Sequence, residues 1–261
     1  MGRTFEAFFY NEKSSLDLGL RIEGKSILNA PEPDLQEYEI PGRDGTVYLS
    51  NRRRKNVEVS YDTFLKVPSP EDKQGYVTAI KGWLLGSPGE YLRLEDTYDL
   101  EHFRRAAYTA GLDFSDEWKI FTKQTITFSC LPYRYLKTGE QPVAAESGTV
   151  SVYNPTAFEA LPKLGFALGF QFSGGAITFQ ASSSAGEYTG TLRGVPAKYA
   201  GLQVVVDSGS KTVGVLSPDF TVIPTAQLDS FPVFRPGENQ VSVTGGGGVS
   251  LAYAVPMWRE L

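Results

Sequence analysis

Residues 40–67 read IPGRDGTVYLSNRRRKNVEVSYDTFLKV, and their punctuation decides what kind of chain this is. Pro41, Gly42, Asp44 and Gly45 are turn formers, because proline presets φ and glycine accepts φ above zero. On either side of the cations Arg52, Arg53, Arg54 and Lys55, the runs TVYLS and NVEVSYDTFLKV alternate apolar and polar residues, the period of a half-buried strand. The segment therefore predicts a hairpin, TVYLS against NVEVSY, with the cations at a solvated tip where like charges stay apart in water. An acidic protein surface is the other reading of that basic run, and nucleic acid a third.

Working outward, TFEAFFYN and LGLRIEG are two short β-like runs separated by the polar NEKSS turn, and ILNAPEPDLQEYEIPGRDG reads as a Pro- and acid-rich connection. SPEDKQGYVTAIKGWLLGSPG is the best helical stretch. Ser69 is placed to N-cap it, Pro70 to occupy the first helical position and Asp72 to complete a capping box. Tyr76, Val77, Ile80, Trp83 and Leu84 form one apolar stripe at helical spacing. EYLRLEDTYDLE and EWKIFTKQTITFSCLPY return to strand chemistry.

From about residue 138 the chain becomes poor in charge and rich in Gly, Ser, Thr and Val. Strand-like runs (GFALGFQF, AITFQA, GLQVVVDS, KTVGVLS, NQVSVTGG) recur between turn residues at the spacing of a β sandwich or jelly roll. The composition shift places a boundary between Tyr135 and Gly148. GGGG at 245–248 predicts a flexible loop; no Lys-Ser/Thr pair follows it to make a phosphate cradle. With 261 residues, 13% aromatics, 27 Gly and 16 Pro, the chain is expected to be mainly β and built as two domains.

Chemistry is scarce. The net charge of −5 has the wrong sign for a general nucleic-acid binder. No apolar run reaches membrane-spanning length and the N-terminus lacks a signal-peptide pattern, so no membrane association or export is expected. One cysteine, Cys130, cannot form an internal disulfide and fits folding in a reducing cytosol. His102 is the sole histidine, so every Ser-His-Asp or Cys-His mechanism would pass through it, and a histidine-rich metal site is ruled out. It is expected as a solvated residue on a loop or short helical turn. Cys130 is expected buried in a sheet, and Glu95, Asp96, Asp99 and Glu101 as a solvated acidic loop, although paired acids also serve glycoside hydrolysis. Tyr153, Tyr188, Tyr199 and Tyr253 are the aromatic candidates for stacking a sugar. No catalytic residue, metal or cofactor is expected.

Four features together resemble one family: FFYNEKSSLDLGLRIEG, EIPGRDGTVYLS with the basic run and strand after it, the helix ending IKGWLL before YLRLED, and the terminal VPMWREL. In order and approximate spacing they are similar to the distal tail proteins of long-tailed phages with non-contractile tails. NPTAFEALPKLGF, VVVDS and FPVFRPGENQVSVTGG resemble that family's C-terminal domain more loosely. The resemblance implies a β-sandwich-like, ring-forming belt domain with one helix and a β-hairpin over 1–137. It also implies a galectin-like β-sandwich over 138–255. Separately, an aromatic and a cation in VPMWREL would be odd on a free tail, so 256–261 is expected to pack back on the belt through Trp258 and Arg259, with Trp83 as a further domain-packing residue.

The function so implied is structural. Six copies form a ring at the end of the tail tube and join the major tail tube protein to the tail-tip hub, with other baseplate or receptor-binding proteins as further partners. The protein would be assembled in the host cytoplasm and reside in the virion. Gly42, Arg43, Asp44, Gly45, Tyr48, Arg52, Arg53, Arg54 and Tyr61 are the expected contacts with sibling copies or partners, with Phe64 beside them as either interface or core. The alternative is a carbohydrate-binding accessory module that recognises a host saccharide. The galectin pattern of His, Asn, Arg and Trp is absent from 138–255, so the resemblance implies that fold without implying its sugar site.

Overall fold

The computed structural model describes residues 6–243 and 248–261, and only the backbone of 116–118. Of the GGGG run, Gly248 alone falls within that range; the flexible-loop expectation for 245–247 lies outside it. The chain divides into two compact units, one holding residues up to Arg134 together with Leu261, the other Tyr135–Glu260.

The first unit runs β1 (Phe8–Tyr10), β2 (Lys13–Ser14), β3 (Leu20–Ser26), β4 (Pro33–Glu39), β5 (Thr46–Arg54), β6 (Val57–Lys66), α1 (Lys73–Leu85), β7 (Leu92–Asp96), β8 (Asp99–Ala107), β9 (Ser115–Trp118) and most of β10 (Phe121–Leu136). Its main sheet has the order β2-β1-β7-β8-β10-β6-β3, with β9 also on β10. Asn11 and Glu12 both have positive φ between the paired Tyr10 and Lys13, the two-residue turn whose twist suits a hairpin.

The alternation read in NVEVSYDTFLKV is realised on β6, which buries Val57, Val59, Tyr61, Thr63 and Leu65. It pairs antiparallel with β10 from Val57↔Cys130 to Lys66↔Phe121, and β10 buries Thr122, Gln124, Ile126, Phe128 and Cys130 on the same side. Over that face α1 lays its apolar stripe, Ile80 and Leu84 fully buried and Tyr76, Val77 and Trp83 half-buried against the same core. The helix begins later than its sequence suggests. Ser69 spends its hydroxyl on the Asp72 carboxylate (2.9 Å) and residues 70–72 form a turn, so neither the Ser69 cap nor Pro70 at the first helical position is realised.

The largest departure concerns residues 40–67. β5 does not pair with β6, because β6 already has β10 on one edge and β3 on the other. Instead β5 folds back on β4, in register Glu39↔Thr46, Tyr38↔Val47, Glu37↔Tyr48, Gln36↔Leu49 and Leu35↔Ser50. The tip is therefore Ile40–Gly45, with Gly42 and Gly45 at φ +80° and +84°, and the cations lie at the opposite end. There they meet acids: Arg53 pairs with Asp34, and Lys55 Nζ lies 3.3 Å from Glu32. The run read as a solvated cationic tip is the ion-paired base of a two-stranded ribbon.

The second unit starts within the last residues of β10 and continues with β11 (Val143–Ala144), β12 (Thr149–Asn154), β13 (Lys163–Leu168), β14 (Gly175–Ser183), β15 (Gly186–Val195), β16 (Gln203–Asp207), β17 (Thr212–Leu216), β18 (Phe220–Val222), β19 (Gln227–Leu228), β20 (Gly237–Val243) and β21 (Val249–Val255). These make two antiparallel sheets, β11-β21-β13-β16-β17-β18 and β12-β20-β14-β15-β19. The inward residues of both, among them Val150, Phe166, Phe179, Val204, Val206, Val241 and Leu251, form a single core, as in a sandwich. Glycine is required where an aromatic ring lies flat on a strand: a Cβ on Gly165 would stand 2.4 Å from the Tyr253 ring.

Trp258 belongs to this second core. Its ring sits 5.9 Å from that of Phe234, its carbonyl accepts from Leu136 N–H (3.0 Å), and Met257 N–H donates to Gly139 (2.7 Å). Arg259 Nε donates to the carbonyl of Glu159. Trp258 thus packs in the second unit's core beside Phe234, while Arg259–Glu260 pairs with β10 and the Leu261 carbonyl accepts from Arg134 Nη2 (3.2 Å).

Asp207 fixes the β16–β17 turn. Its carboxylate accepts from Gly209 N–H (2.9 Å), Ser210 N–H (3.2 Å) and Lys163 Nζ (2.9 Å). Burial opposes its ionisation, but Lys163 and the two backbone donors outweigh burial and hold its pKa below the ordinary carboxylate value. A depressed folded-state pKa gives stability that is present above the unfolded pKa, about 3.9, and lost as pH falls through the folded one. Asp207→Asn is expected to cost about 1–2 kcal/mol at neutral pH and to flatten the acid limb of a urea-midpoint profile measured from pH 2 to 6; an unchanged profile would refute it.

Candidate assembly surface

The residues that enzymes would use are occupied with holding the fold. His102 lies on β8, not on a loop, and is largely buried, with Nδ1 2.7 Å from Asp99 Oδ1. Asp99 also accepts from Arg134 Nη1 at 2.8 Å. Burial raises the Asp99 pKa, yet the bond to His102 and the Arg134 charge bring it below the usual carboxylate range. The expected solvated histidine is thus a strand residue clamped to its neighbours. Cys130 is fully buried and burial pushes its thiol up to about 12, which removes the thiolate a nucleophile needs.

The acids near Glu95 are likewise engaged. Asp96 accepts from Tyr61 Oη (2.8 Å) and from the N–H groups of Tyr98 (2.9 Å) and Asp99 (3.0 Å), pinning the β7–β8 turn, while Glu95 pairs with Arg93. Among the described residues no group of three or more His, Cys, Asp and Glu is placed to hold a metal.

Tyr61, an expected contact residue, and Trp83, an expected domain-packing residue, both pack inside the first unit. Tyr61 is 1% exposed, its ring stacked on Phe8 at 4.8 Å, so it cannot reach another chain. Trp83 stacks on Phe8 at 5.6 Å and donates Nε1–H to the Tyr10 carbonyl (3.0 Å), packing against the core of the first unit. Phe64 stacks on Phe121 at 5.2 Å.

The remaining expected residues, Gly42, Arg43, Asp44, Gly45, Tyr48, Arg52, Arg53 and Arg54, all lie on the β4–β5 ribbon or its tip. That ribbon has no other strand on either edge among the described residues. Both its faces carry exposed apolar side chains. Opposed residues share a face, so Leu35 and Tyr48 lie on one side and Tyr38, Val47 and Leu49 on the other; Tyr48 is 57% exposed. Sequence reading missed β4 altogether, since its acids and Pro33 disguised it as a connection. The signal was there: Leu35, Tyr38 and Ile40 stand as far before the IPGRDG turn as the alternating TVYLS stands after it.

In the second unit a cleft of about 200 Å³ opens beside Tyr188, Phe231, Arg235, Asn239 and Gln240. Tyr188 is fixed over it by its hydroxyl, which donates to the Ser230 carbonyl. Of the four tyrosines proposed for sugar stacking, Tyr153 is the most exposed, at 62%, and Tyr253 lies over Gly165. Phe170, 93% exposed, was not singled out by its sequence context.

No protein-family model matches the sequence, and a search of curated proteins finds no significant match. Solved structures do match. The chain superposes on the crystal structure of the Dit protein of phage SPP1, described as a paradigm of the hub adsorption apparatus in phages infecting Gram-positive hosts. The TM-score is 0.65 at 14% identity, over 98% of this chain and 99% of that one. Chains of the phage P2 baseplate in its activated conformation, with calcium and with strontium, match at TM-scores of 0.56 and 0.57 and identities of 12% and 11%. Each comparison covers 95% of this chain and 97% of the other. At such identities the likeness is one of fold: the chain is mainly β and shares the fold of the SPP1 Dit protein over nearly all of its length.

Proposed function

We propose that this protein is a structural component of a phage tail tip, a connector that forms a six-fold ring between the tail tube and the tail-tip hub and resides in the virion. The observation that carries the reading is the end-to-end likeness to the SPP1 Dit protein, which spans nearly all of both chains. The ribbon supports it physically. A two-stranded hairpin is marginal alone in water, and this one exposes apolar residues on both faces, so it gains stability only when another chain covers it. The ring places such a chain beside every ribbon, and the major tail tube protein and hub on its two faces. The engaged state of His102, Cys130 and Asp96 argues against a catalytic role.

The test is the oligomeric state. Light scattering and negative-stain images of the purified chain, alone and with the tube and hub proteins, are expected to give six-fold rings; a monomer under all these conditions would refute the connector. The cleft beside Tyr188 and Phe231 favours the second reading, a saccharide-binding accessory, because an aromatic floor with amide groups at its rim is what a sugar ring needs. Calorimetry with host wall polysaccharide separates the two: saturable binding by a chain that never assembles would establish the accessory.

A further inference from the structure

Five aspartates precede a glycine, serine or threonine: Asp44, Asp62, Asp96, Asp207 and Asp229. A small following residue lets its own backbone nitrogen reach the aspartate carboxyl carbon, so each is a candidate for imide formation. The fold restrains four of them. Asp62 lies in the β6–β10 ladder with its carboxylate on the Thr125 hydroxyl (2.7 Å). The Asp96 carboxylate holds the Tyr61 hydroxyl and two backbone N–H groups, and the nitrogen that would attack it, that of Thr97, donates to the Ala7 carbonyl (3.0 Å). The Asp207 carboxylate is held by Lys163 and two backbone donors, while Ser208 N–H donates to the Pro162 carbonyl (3.0 Å). Asp229 pairs with Arg193.

Asp44 is held by none of these devices. It is exposed at the ribbon tip, beyond the last paired residues, Glu39 and Thr46. Among the described residues its carboxylate has no hydrogen bond or ion pair, and the Gly45 N–H donates to no backbone carbonyl. Gly45 has φ +84° and nothing within 4 Å of where a Cβ would stand, so the conformational freedom and the open space for its nitrogen to swing are both present. We propose that Asp44–Gly45 is a site of spontaneous covalent modification, where aspartate isomerises to isoaspartate in the folded chain and thereby loosens the ribbon.

The Gly45 nitrogen bonds to Asp44 Cγ and loses its hydrogen as the protonated carboxyl loses its hydroxyl, so one water leaves and a five-membered succinimide closes. Water then re-enters. Addition at Cγ restores aspartate. Addition at the main-chain carbonyl breaks that carbonyl's bond to nitrogen and leaves a main chain that runs through Cβ and Cγ, with a free carboxylate on Cα. No oxidant, reductant or co-reactant besides water is needed, and mass is unchanged. The tip joining Glu39 to Thr46 gains one backbone carbon. Register in a hairpin is fixed by its turn, and a two-stranded ribbon is marginal by itself, so the longer tip weakens the β4–β5 pairing. The carboxylate now on Cα is the group that isoaspartyl methyltransferases esterify, which makes the altered tip a substrate for that class of enzyme.

The test ages the full chain, purified without tube or hub proteins, at mildly acid pH, both folded and in urea. Peptide mass spectrometry with electron-transfer fragmentation then locates the extra backbone carbon. Isoaspartate is expected at Asp44 in the folded chain at a rate within about threefold of that in urea, while folding slows Asp62, Asp96 and Asp207 by about tenfold or more. Asp44→Glu is expected to remove the signal from the tip with circular dichroism unchanged, because glutamate would have to close a six-membered ring, a far slower step. Hydrogen exchange gives the second readout: ageing is expected to lower protection in β4 and β5 of the wild type and to leave Asp44→Glu unchanged. Folding that slows Asp44 as much as the other three overturns the site. Isoaspartate at Asp44 with ribbon exchange unaltered overturns its effect on the ribbon. Neither result bears on the ring, which is judged by oligomeric state.

Discussion

Phe8→Ala is expected to destabilise the first unit by about 3–5 kcal/mol, the range for emptying a fully buried aromatic site. Phe8 has no exposed surface and joins three other rings. It stacks on Tyr61 at 4.8 Å and 14° and on Trp83 at 5.6 Å and 8°, and it meets Phe128 edge-on at 5.7 Å and 71°. Those partners come from β6, α1 and β10, so one side chain on a three-residue strand ties the helix to the sheet. Collapse cannot refill the site, because Tyr61 is tethered through its hydroxyl to Asp96 and Trp83 through its indole N–H to Tyr10. The adjacent Phe9 points the other way and is 37% exposed, so Phe9→Ala should cost under about 1 kcal/mol. Urea unfolding of both variants, followed by hydrogen exchange in β6 and β10, checks the contrast; equal losses would deny Phe8 its central place.

How far the sequence disclosed this molecule depended on whether a local pattern had a local cause. β6 and β10 were legible because alternation maps directly on one buried face, and the helical stripe Tyr76–Leu84 for the same reason at another period. The partner of β5 was not legible. Residues 46–50 and 57–66 are neighbours in sequence with matching patterns, yet β3, some thirty residues earlier, had already taken the free edge of β6. Pairing is decided by competition for edges, which no local pattern records. The same holds for single residues. Tyr48 and Tyr61 look alike in their strands, but one faces solvent on a ribbon and the other stacks under a helix whose position only the whole sheet determines. The assembly surface could be located near IPGRDG from sequence, whereas its ion-paired base became legible only once β4 was seen to be a strand.

Trp258→Ala should lower the stability of the second unit by about 3–5 kcal/mol and leave the first unit's core exchange unchanged. The indole is nearly buried among Phe234 and the partly buried Leu136. Its backbone is fixed from both sides, by the Leu136 N–H on its own carbonyl and by the neighbouring Met257 N–H on Gly139. The approach is close enough that a Cβ on Gly139 would stand 2.4 Å from Trp258 N and 3.0 Å from its Cγ, so Gly139→Ala is expected to expel the same segment with Trp258 itself left in the sequence. Truncation after Ala254 removes the ring and both hydrogen bonds together and should have at least the effect of Trp258→Ala. Hydrogen exchange in β13, β20 and β21, compared with β6 and β10, separates the two units within one chain. If the protection lost were in β6 and β10 instead, the closing segment would belong energetically to the first unit, as VPMWREL alone had suggested. The contacts with Phe234 and Gly139 predict the opposite, because a buried indole stabilises the core that surrounds it.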